Sequence, residues 1–180
     1  MKGNALRATG QLKRCLDETF LSSCDRRISE FFLLWKSKCG NGVLPARRDV
    51  NPREMVPFLP NIMLVDVVWP GPRFRYGLVG TGEVTHRGVD PTGKWLEEAY
   101  SGVDGGYCDG NYRYVATSGK HLYDVSPEPT AMGNLADVQA LFLPLANDGK
   151  TVTTIMVYSL VKMIRGDNLL TAVSRRSQAG

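Results

Sequence analysis

A strand that gives way to a pair of glycines constrains the fold of this chain most strongly. Phe74, Tyr76 and Leu78 recur at a period of two, which is typical of a strand in a sheet. The alternation ends at the Gly-Thr-Gly segment of residues 80–82, and short helical stretches broken by a turn cluster follow as far as residue 98. A strand that leaves a sheet into short, broken helices usually builds the wall of a cavity. We therefore expect one sheet with a helical flap across one face.

The Gly-Thr-Gly segment also resembles part of a phosphate-binding loop. The third glycine of such a loop is missing, because Thr85 takes its place, and no Gly-Lys-Ser/Thr motif follows. We interpret the glycines instead as residues that let the chain leave the strand sharply.

The expected cavity wall carries aromatic side chains with polar tips, which suit an apolar or aromatic ligand with one or two polar groups. The alternative for most of these side chains is ordinary core packing. His86 could bind haem or donate a hydrogen bond to a ligand, but a lone surface histidine is the commoner case. The candidate ligand-binding residues are Tyr76, Leu78, His86, Trp95, Tyr112 and Tyr123.

Two helices are predicted before the first strand. A weak amphipathic pattern covers residues 5–21, and a stronger one covers residues 25–39, where Asp25 or a preceding serine caps the start. A helix this apolar must pack on the sheet or on a second copy of itself, so we expect it to signal or to dimerise. Its apolar face consists of Ile28, Phe31, Phe32 and Trp35.

The other elements follow from local pattern. Asn51 followed by a proline starts a short helix, and the turn at residues 147–149 predicts a hairpin. The predicted strands span residues 62–69, 73–79, 120–125, 137–145 and 151–163, with a proline loop at 126–129. We divide the chain into an N-terminal helical extension (1–24), a single domain (25–164) and a flexible tail (165–180).

Composition restricts the function further. The 180 residues are 43% hydrophobic and carry a net charge of +4, but residues 1–53 hold eleven Lys or Arg against five Asp or Glu. This basic front is a solvated face or a contact for an acidic partner. The four cysteines lack metal-ligand spacing, so we predict free thiols and no metal. With no signal region and no apolar run long enough to span a membrane, we expect a cytoplasmic protein.

The order of elements and several short segments resemble the short bacterial single-PAS-domain proteins over about residues 25–164. The segments that carry the resemblance are 44–47, 49–52, 59–67, 74–81, 90–94 and 143–145 with Asp148-Gly149. The resemblance implies an α+β fold, with a five-stranded antiparallel sheet and helices across one face. It also implies a sensor of a small molecule, redox state or light, or a docking module that signals through the helix before the first strand.

The resemblance leaves the ligand open. Light-sensing PAS domains bind flavin at a flap cysteine within Asn-Cys-Arg, and Cys108 lies in another context, so the cofactor is unknown. Since little chain remains after residue 163, we expect the output in a separate kinase, response regulator or cyclic-dinucleotide enzyme. We predict a non-enzymatic homodimer with no catalytic residues and no nucleic-acid partner. The alternatives are a ligand-free dimerisation domain and a small cavity enzyme that uses His86.

Overall fold

A computed structural model describes residues 13–99, 105–129 and 135–163. These residues form one antiparallel sheet with helices on both faces, which is the α+β, PAS-like fold that the sequence predicts. The strands are β1 (Lys13–Cys15), β2 (Ile62–Val68), β3 (Arg73–Val79), β4 (Leu122–Pro129), β5 (Leu135–Leu145) and β6 (Thr154–Met163). The helices are α1 (Arg26–Lys38), α2 (Pro52–Met55), α3 (Thr81–Arg87), α4 (Leu96–Ala99) and α5 (Gly105–Ser118).

The sheet places the strands in the order β1-β4-β5-β6-β2-β3. β2 pairs with both β6 and β3, and its side chains enter the apolar clusters on both faces of the sheet, which explains its nearly continuous apolar sequence. The turn after Leu145 returns the chain antiparallel into β6, as the hairpin signal predicts, with Gly149 at a φ of 77°. Helices α3 to α5 form the flap across one face, which we call the inner face.

Helix α1 covers the opposite, outer face of the sheet. The Asp25 carboxylate caps it by accepting a hydrogen bond from the Arg27 amide. Phe31 packs against Tyr158 of β6 with ring centroids 4.7 Å apart, and it also contacts Phe58. The apolar face of α1 is therefore buried on the sheet of its own chain. The buried residues of this face are Ile28, Phe31, Phe32 and Trp35.

The helix predicted over residues 5–21 is wrong for the part that the structure describes. Lys13–Cys15 is the strand β1, paired antiparallel with residues 123–125 of β4, and residues 18–22 form a 3₁₀ helix capped by Asp17. Pairing with the free edge of β4 outweighed a weak helical pattern. Residues 5–12 lie outside the described residues, as does the predicted tail at 165–180. The sheet therefore has a sixth strand in the described residues, where the sequence predicted five.

The proline loop predicted at residues 126–129 is also wrong, because β4 continues to Pro129. Pro127 and Pro129 pair with Asp137 and Leu135 of β5. The two prolines are two residues apart, so their ring nitrogens point to the same side of the strand, and the described part of β1 pairs with β4 no further along than Val125. Proline is tolerated at such a sheet edge.

The junction between β3 and α3 shows what the Gly-Thr-Gly segment does. Gly80 has an ordinary φ of −67°, so its backbone does not need glycine. A Cβ atom on Gly80 would lie 2.4 Å from the carbonyl oxygens of Leu59 and Pro60. Glycine is required here by the close approach of two backbone segments, which fixes the first turn of the flap against the start of β2.

Two apolar clusters result, one on each face of the sheet. The outer cluster joins α1 and the 3₁₀ helix to β4, β5 and β6, and the inner cluster joins the flap to the other side of the same strands. None of the helices in the described part of the chain is both long and apolar enough to cross a membrane.

Candidate functional site

A cavity of about 30 Å³ lies between helix α5 and the inner face of the sheet. Its floor is apolar and comes from the centres of β5 and β6. Polar side chains from α5, β4 and the end of α3 line its walls. The floor residues are Val138, Ala140, Phe142 and Val157, and the polar wall residues are Arg87, Tyr107, Asn111, Asp124, Ser126, Glu128 and Ser159.

The secondary structure places these polar side chains together. In β4, alternation sends Asp124 and Ser126 to the inner face, while Tyr123 points to the outer face. In α5, Tyr107 and Asn111 are one helical turn apart and therefore lie on the same side of the helix. A carboxylate from the sheet thus meets a phenol and an amide from the helix above it.

Asp124 is the centre of this polar group, and it is only 2% exposed. The Tyr107 hydroxyl donates a hydrogen bond to Asp124 Oδ1 at 2.6 Å, and Asn111 Nδ2 donates to Oδ2 at 3.3 Å. Burial raises the pKa of the Asp124 carboxyl, although the Tyr107 hydrogen bond, the charge of Arg14 and the Ser126 hydrogen bond favour its charged form. Burial, and then the hydrogen bond to Asp124, raise the pKa of Tyr107.

Asn111 presents an acceptor that the described residues do not use. Its side chain is 2% exposed, and Oδ1 accepts no hydrogen bond from any described residue. The amide cannot turn over without bringing Oδ1 against the Asp124 carboxylate, so Nδ2 stays on Asp124 and Oδ1 is left for another donor. A buried acceptor without a partner costs about 1–3 kcal/mol, which is the cost that a bound donor removes.

A second buried group lies at the other end of the cavity. The Ser159 hydroxyl of β6 donates a hydrogen bond to Glu83 Oε1, and Arg87 Nε lies 3.5 Å from Glu83 Oε2. Burial raises the pKa of the Glu83 carboxyl, which is 2% exposed. The Arg87 guanidinium that lines the cavity therefore has a carboxylate beside it.

Strand β1 contacts the cavity through Tyr107. Arg14 donates a hydrogen bond to the Tyr107 carbonyl at 2.9 Å, and its guanidinium lies 4.0 Å from the centre of the Tyr107 ring. A short chain of contacts thus runs from Asp124 through Tyr107 to Arg14 at the edge of the sheet.

Of the candidate ligand residues predicted from sequence, Tyr112 lines this cavity. Tyr76 is fully buried in the inner cluster. His86 has a largely buried side chain, and its Nε2 lies 3.9 Å from Glu128 Oε2. Leu78 is 39% exposed at the edge strand β3.

The two remaining candidates lie elsewhere. Trp95 carries the Arg73 guanidinium 4.0 Å above its ring, at the outside of the flap. Tyr123 stacks on Phe20 in the outer cluster and donates a hydrogen bond to Gln139. Tyr123 lies outside the cavity because successive residues of a strand point to opposite faces, and its neighbour Asp124 points to the inner face.

Sequence reasoning missed Asn111, Asp124 and Tyr107. Two signals were present. Asp124 is a carboxylate in the middle of an apolar strand, and Tyr107 and Asn111 are spaced i, i+4. The sequence prediction selected aromatic rings, and its candidates did not include polar residues at positions that the pattern buries.

The shape of the cavity limits what it can hold. Ligand pockets for drug-sized molecules and cofactors span about 300–1,000 Å³, and this cavity is about 30 Å³. Flavin, which some PAS domains bind, does not fit this arrangement. Cys108 does line the cavity, and it is one of four free thiols. A small ligand, or the head group of a larger one, matches the space.

No family model matches this chain, and no curated protein matches it. Solved structures do. An RNA-binding light-oxygen-voltage receptor is 13% identical with a TM-score of 0.48; the match covers 94% of this chain but only 44% of that one. The LOV protein of Rhodobacter sphaeroides is 14% identical with a TM-score of 0.47, and the match covers 87% of this chain and 78% of that one. Both TM-scores are below 0.5, so these structures assign no function to this chain.

Proposed function

We propose that this chain is a PAS-like sensory module that binds a small ligand in the cavity under α5 and signals to a separate protein. The proposal rests chiefly on Asn111, a buried side chain that holds an unused acceptor against an enclosed space. In a purely structural core an apolar residue of similar volume would avoid that cost. A polar residue retained there is readily explained by a ligand donor.

The contacts of Tyr107 supply a route for the signal. A ligand that competes for Asp124 loosens the hydrogen bond from Tyr107, and Arg14 holds Tyr107 through its carbonyl and ring. A shift of Tyr107 therefore changes the contacts of β1 with the sheet edge. A ligand favours whichever arrangement of these elements it binds more tightly. The output partner, a separate cytoplasmic signalling protein, would then recognise the N-terminal elements β1 and α1 of this chain.

The position of α1 bears on the alternative of a ligand-free dimerisation domain. Its apolar face is already buried on the sheet, so a dimer through Phe31 and Phe32 would require α1 to leave it. Its outward side carries an isolated apolar residue, Leu33, which is 55% exposed. We therefore propose that α1 signals while it remains packed, and that any homodimer uses other surfaces.

The test of ligand binding is native mass spectrometry of the full chain after incubation with a small-metabolite extract of its own cells. We expect a bound mass that survives gentle desolvation and disappears in Asn111→Leu, which removes the amide at nearly constant volume. Asn41→Leu, at an exposed position outside the cavity, should retain the bound mass. A bare mass in the wild type, or an equal bound mass in Asn111→Leu, would contradict the proposal.

The test of the signal route uses Arg14→Ala. We expect amide hydrogen exchange in residues 122–126 of β4 to rise several-fold, because β1 loses its anchor on Tyr107 and pairs less with that edge. Lys13→Ala is the matched control, since it shortens a neighbouring side chain of the same strand. Equal exchange in the two variants would remove Arg14 from the route.

A further inference from the structure

We infer that the ligand of this cavity is a small organic cation whose N–H groups donate to Asn111 and Asp124, such as an amidinium or an ammonium head group. This inference rests on the proposed function and adds the chemical class of the ligand. It follows from the kind of atoms that the cavity presents, from the balance of charge around them and from the size of the space.

The polar wall beside Asn111 is made mostly of acceptors. Asn111 Oδ1 is unused by any described residue, and the two Asp124 oxygens accept from Tyr107, Asn111 and Ser126. A carboxylate accepts about four hydrogen bonds in all. Glu128 adds a further carboxylate that faces the same space. A ligand that donates through two or more N–H groups satisfies this wall, whereas an anion would set oxygen against oxygen.

The charges around the cavity also favour a cation. Two carboxylates line it, Asp124 and Glu128, against one guanidinium, Arg87. Arg87 has the buried carboxylate of Glu83 beside it at 3.5 Å, so its charge is largely balanced before any ligand arrives.

Two basic groups stand next to this wall. Arg14 is exposed, so water screens part of its charge, but it still acts electrostatically on Asp124 and favours the charged carboxylate. His86 Nε2 lies 3.9 Å from Glu128 Oε2, which is too far for a hydrogen bond, so it offsets that carboxylate only in part. The oxygens of Asp124, Glu128 and Asn111 nevertheless make this wall one of hydrogen-bond acceptors. A charge-assisted hydrogen bond to such a carboxylate is about twice as strong as a neutral one.

The space sets the size of the cationic group. A cavity of about 30 Å³ corresponds to roughly two or three water-sized groups. A planar amidinium is of that order and presents two parallel N–H donors, one toward Asp124 and one toward Asn111 Oδ1. The buried Asn111 oxygen distinguishes this site from an ordinary cluster of acidic side chains, because an acceptor shielded from solvent requires a hydrogen-bond donor.

The test uses three probes of nearly one shape that differ in charge and donors: acetamidinium, acetamide and acetate. Each is titrated into the full ¹⁵N-labelled chain, and the shift of the Asn111 side-chain amide signal gives the dissociation constant at that site. We expect acetamidinium to bind at least about tenfold more tightly than acetamide, since a charge-assisted hydrogen bond replaces a neutral one. Acetate should bind most weakly.

Matched variants separate the site from the surface. Asp124→Asn and Glu128→Gln each remove one cavity carboxylate, and each should weaken acetamidinium about tenfold. Asp109→Asn makes the same change on the exposed side of α5, where Asp109 pairs with Arg113, and should leave binding unchanged. Glu128→Gln keeps the test valid if Asp124→Asn does not fold.

The outcomes are distinguishable. If acetate or acetamide binds at Asn111 more tightly than acetamidinium, the cation assignment is wrong while cavity binding stands. If no probe moves the Asn111 signal, the cation assignment fails, while the mass measurement on wild type and Asn111→Leu decides the binding function independently. Equal loss of acetamidinium binding in Asp109→Asn and Asp124→Asn would show a general charge effect and would also overturn the inference.

Discussion

The two faces of the sheet are filled by different chemistry. On the outer face, rings from α1 and the 3₁₀ helix pack on β-strand rings, as Phe31 does on Tyr158 and Phe20 on Tyr123. On the inner face, the flap helices contribute the buried Glu83 and Asn111, and they cover Asp124 of β4. The outer face therefore stabilises the fold mainly by apolar burial. The inner face stabilises it less, because the burial of polar atoms costs free energy.

This difference assigns the two faces different roles. Burial of apolar surface is non-directional and favours a single tightly packed arrangement. Buried polar groups are favourable only when each finds its partner, so they respond to whatever ligand or proton supplies one. The outer face fixes the N-terminal helix to the sheet, and under our proposal the inner face is where a small molecule would act. The predictions below test this contrast.

The largest effect should come from the outer face. Phe31→Ala removes a fully buried ring that contacts Tyr158 and Phe58, and it should lower the free energy of unfolding by about 3–5 kcal/mol. Urea denaturation measures the change. Leu33→Ala on the exposed side of α1 should stay within about 0.5 kcal/mol. A loss below about 1 kcal/mol for Phe31→Ala would mean that α1 is not held by this cluster.

A smaller effect is expected from Glu83 on the inner face. Its pKa is raised by burial, so its contribution to stability is fully present below the unfolded value of 4.5 and is lost as the pH rises through the folded pKa. Glu83→Gln should remove that loss. Relative to the variant, the wild type should lose stability as the pH rises from 4.5 through the folded pKa. Parallel stability curves for the two proteins between pH 4 and 8 would refute this.

The outer face should show the opposite dependence through His121. Its ring packs among Phe20, Phe32 and Trp35, and burial lowers its pKa. A lowered histidine pKa gives stability that is present above the unfolded value of 6.5 and is lost as the pH falls toward the folded pKa. The effect should be below about 1 kcal/mol, because the side chain is only half-buried and solvent screens it.

The measurement for His121 compares thermal or urea unfolding of the wild type and His121→Phe between pH 7 and 5. The phenyl ring keeps the aromatic contacts and removes the titration. Asp17, Glu18 and Lys36 also act on His121 electrostatically, and they are retained in the variant. An unchanged slope in His121→Phe would assign the acid sensitivity to another group.

The smallest effect on stability should come from Asn111→Leu, although Asn111 is as buried as the outer rings. The change removes an unpaired acceptor and one long hydrogen bond to Asp124, and these nearly cancel, so the free energy of unfolding should move by less than about 1 kcal/mol. Urea denaturation checks this beside Phe31→Ala. A loss of 3 kcal/mol or more would make Asn111 a structural residue and would break the contrast between the faces.

Local signals in the sequence predicted much of the fold. The Asp25 cap and the apolar spacing of residues 28–35 defined α1, and the β-branched run at residues 62–68 defined a central strand. The hairpin turn at residues 147–149 was equally clear. In each of these, the local preference and the final environment agree, which is why the pattern alone sufficed.

The sequence predictions fail where contact with a segment far along the chain determines the local structure. Residues 13–15 carry a weak helical pattern, and they form β1 because β4 offers them a free edge. Pro127 and Pro129 signal a loop, yet they remain in β4 because β5 pairs with them on the other side. The glycines at 80 and 82 were predicted to let the chain leave the strand sharply. At Gly80, glycine is instead required because the carbonyl oxygens of residues 59 and 60 leave no room for a Cβ atom.

The sequence by itself determined the elements, their order and the presence of a helical flap across a sheet, because periodicity and capping act within a few residues along the chain. Only the tertiary structure decided which side chains face the cavity. Tyr107, Asn111 and Asp124 come from two elements, and their meeting depends on the direction of each strand residue and the rotation of α5 above it. A polar atom left without a partner is visible only once all its neighbours in space are known, and so the candidate site emerged from the fold.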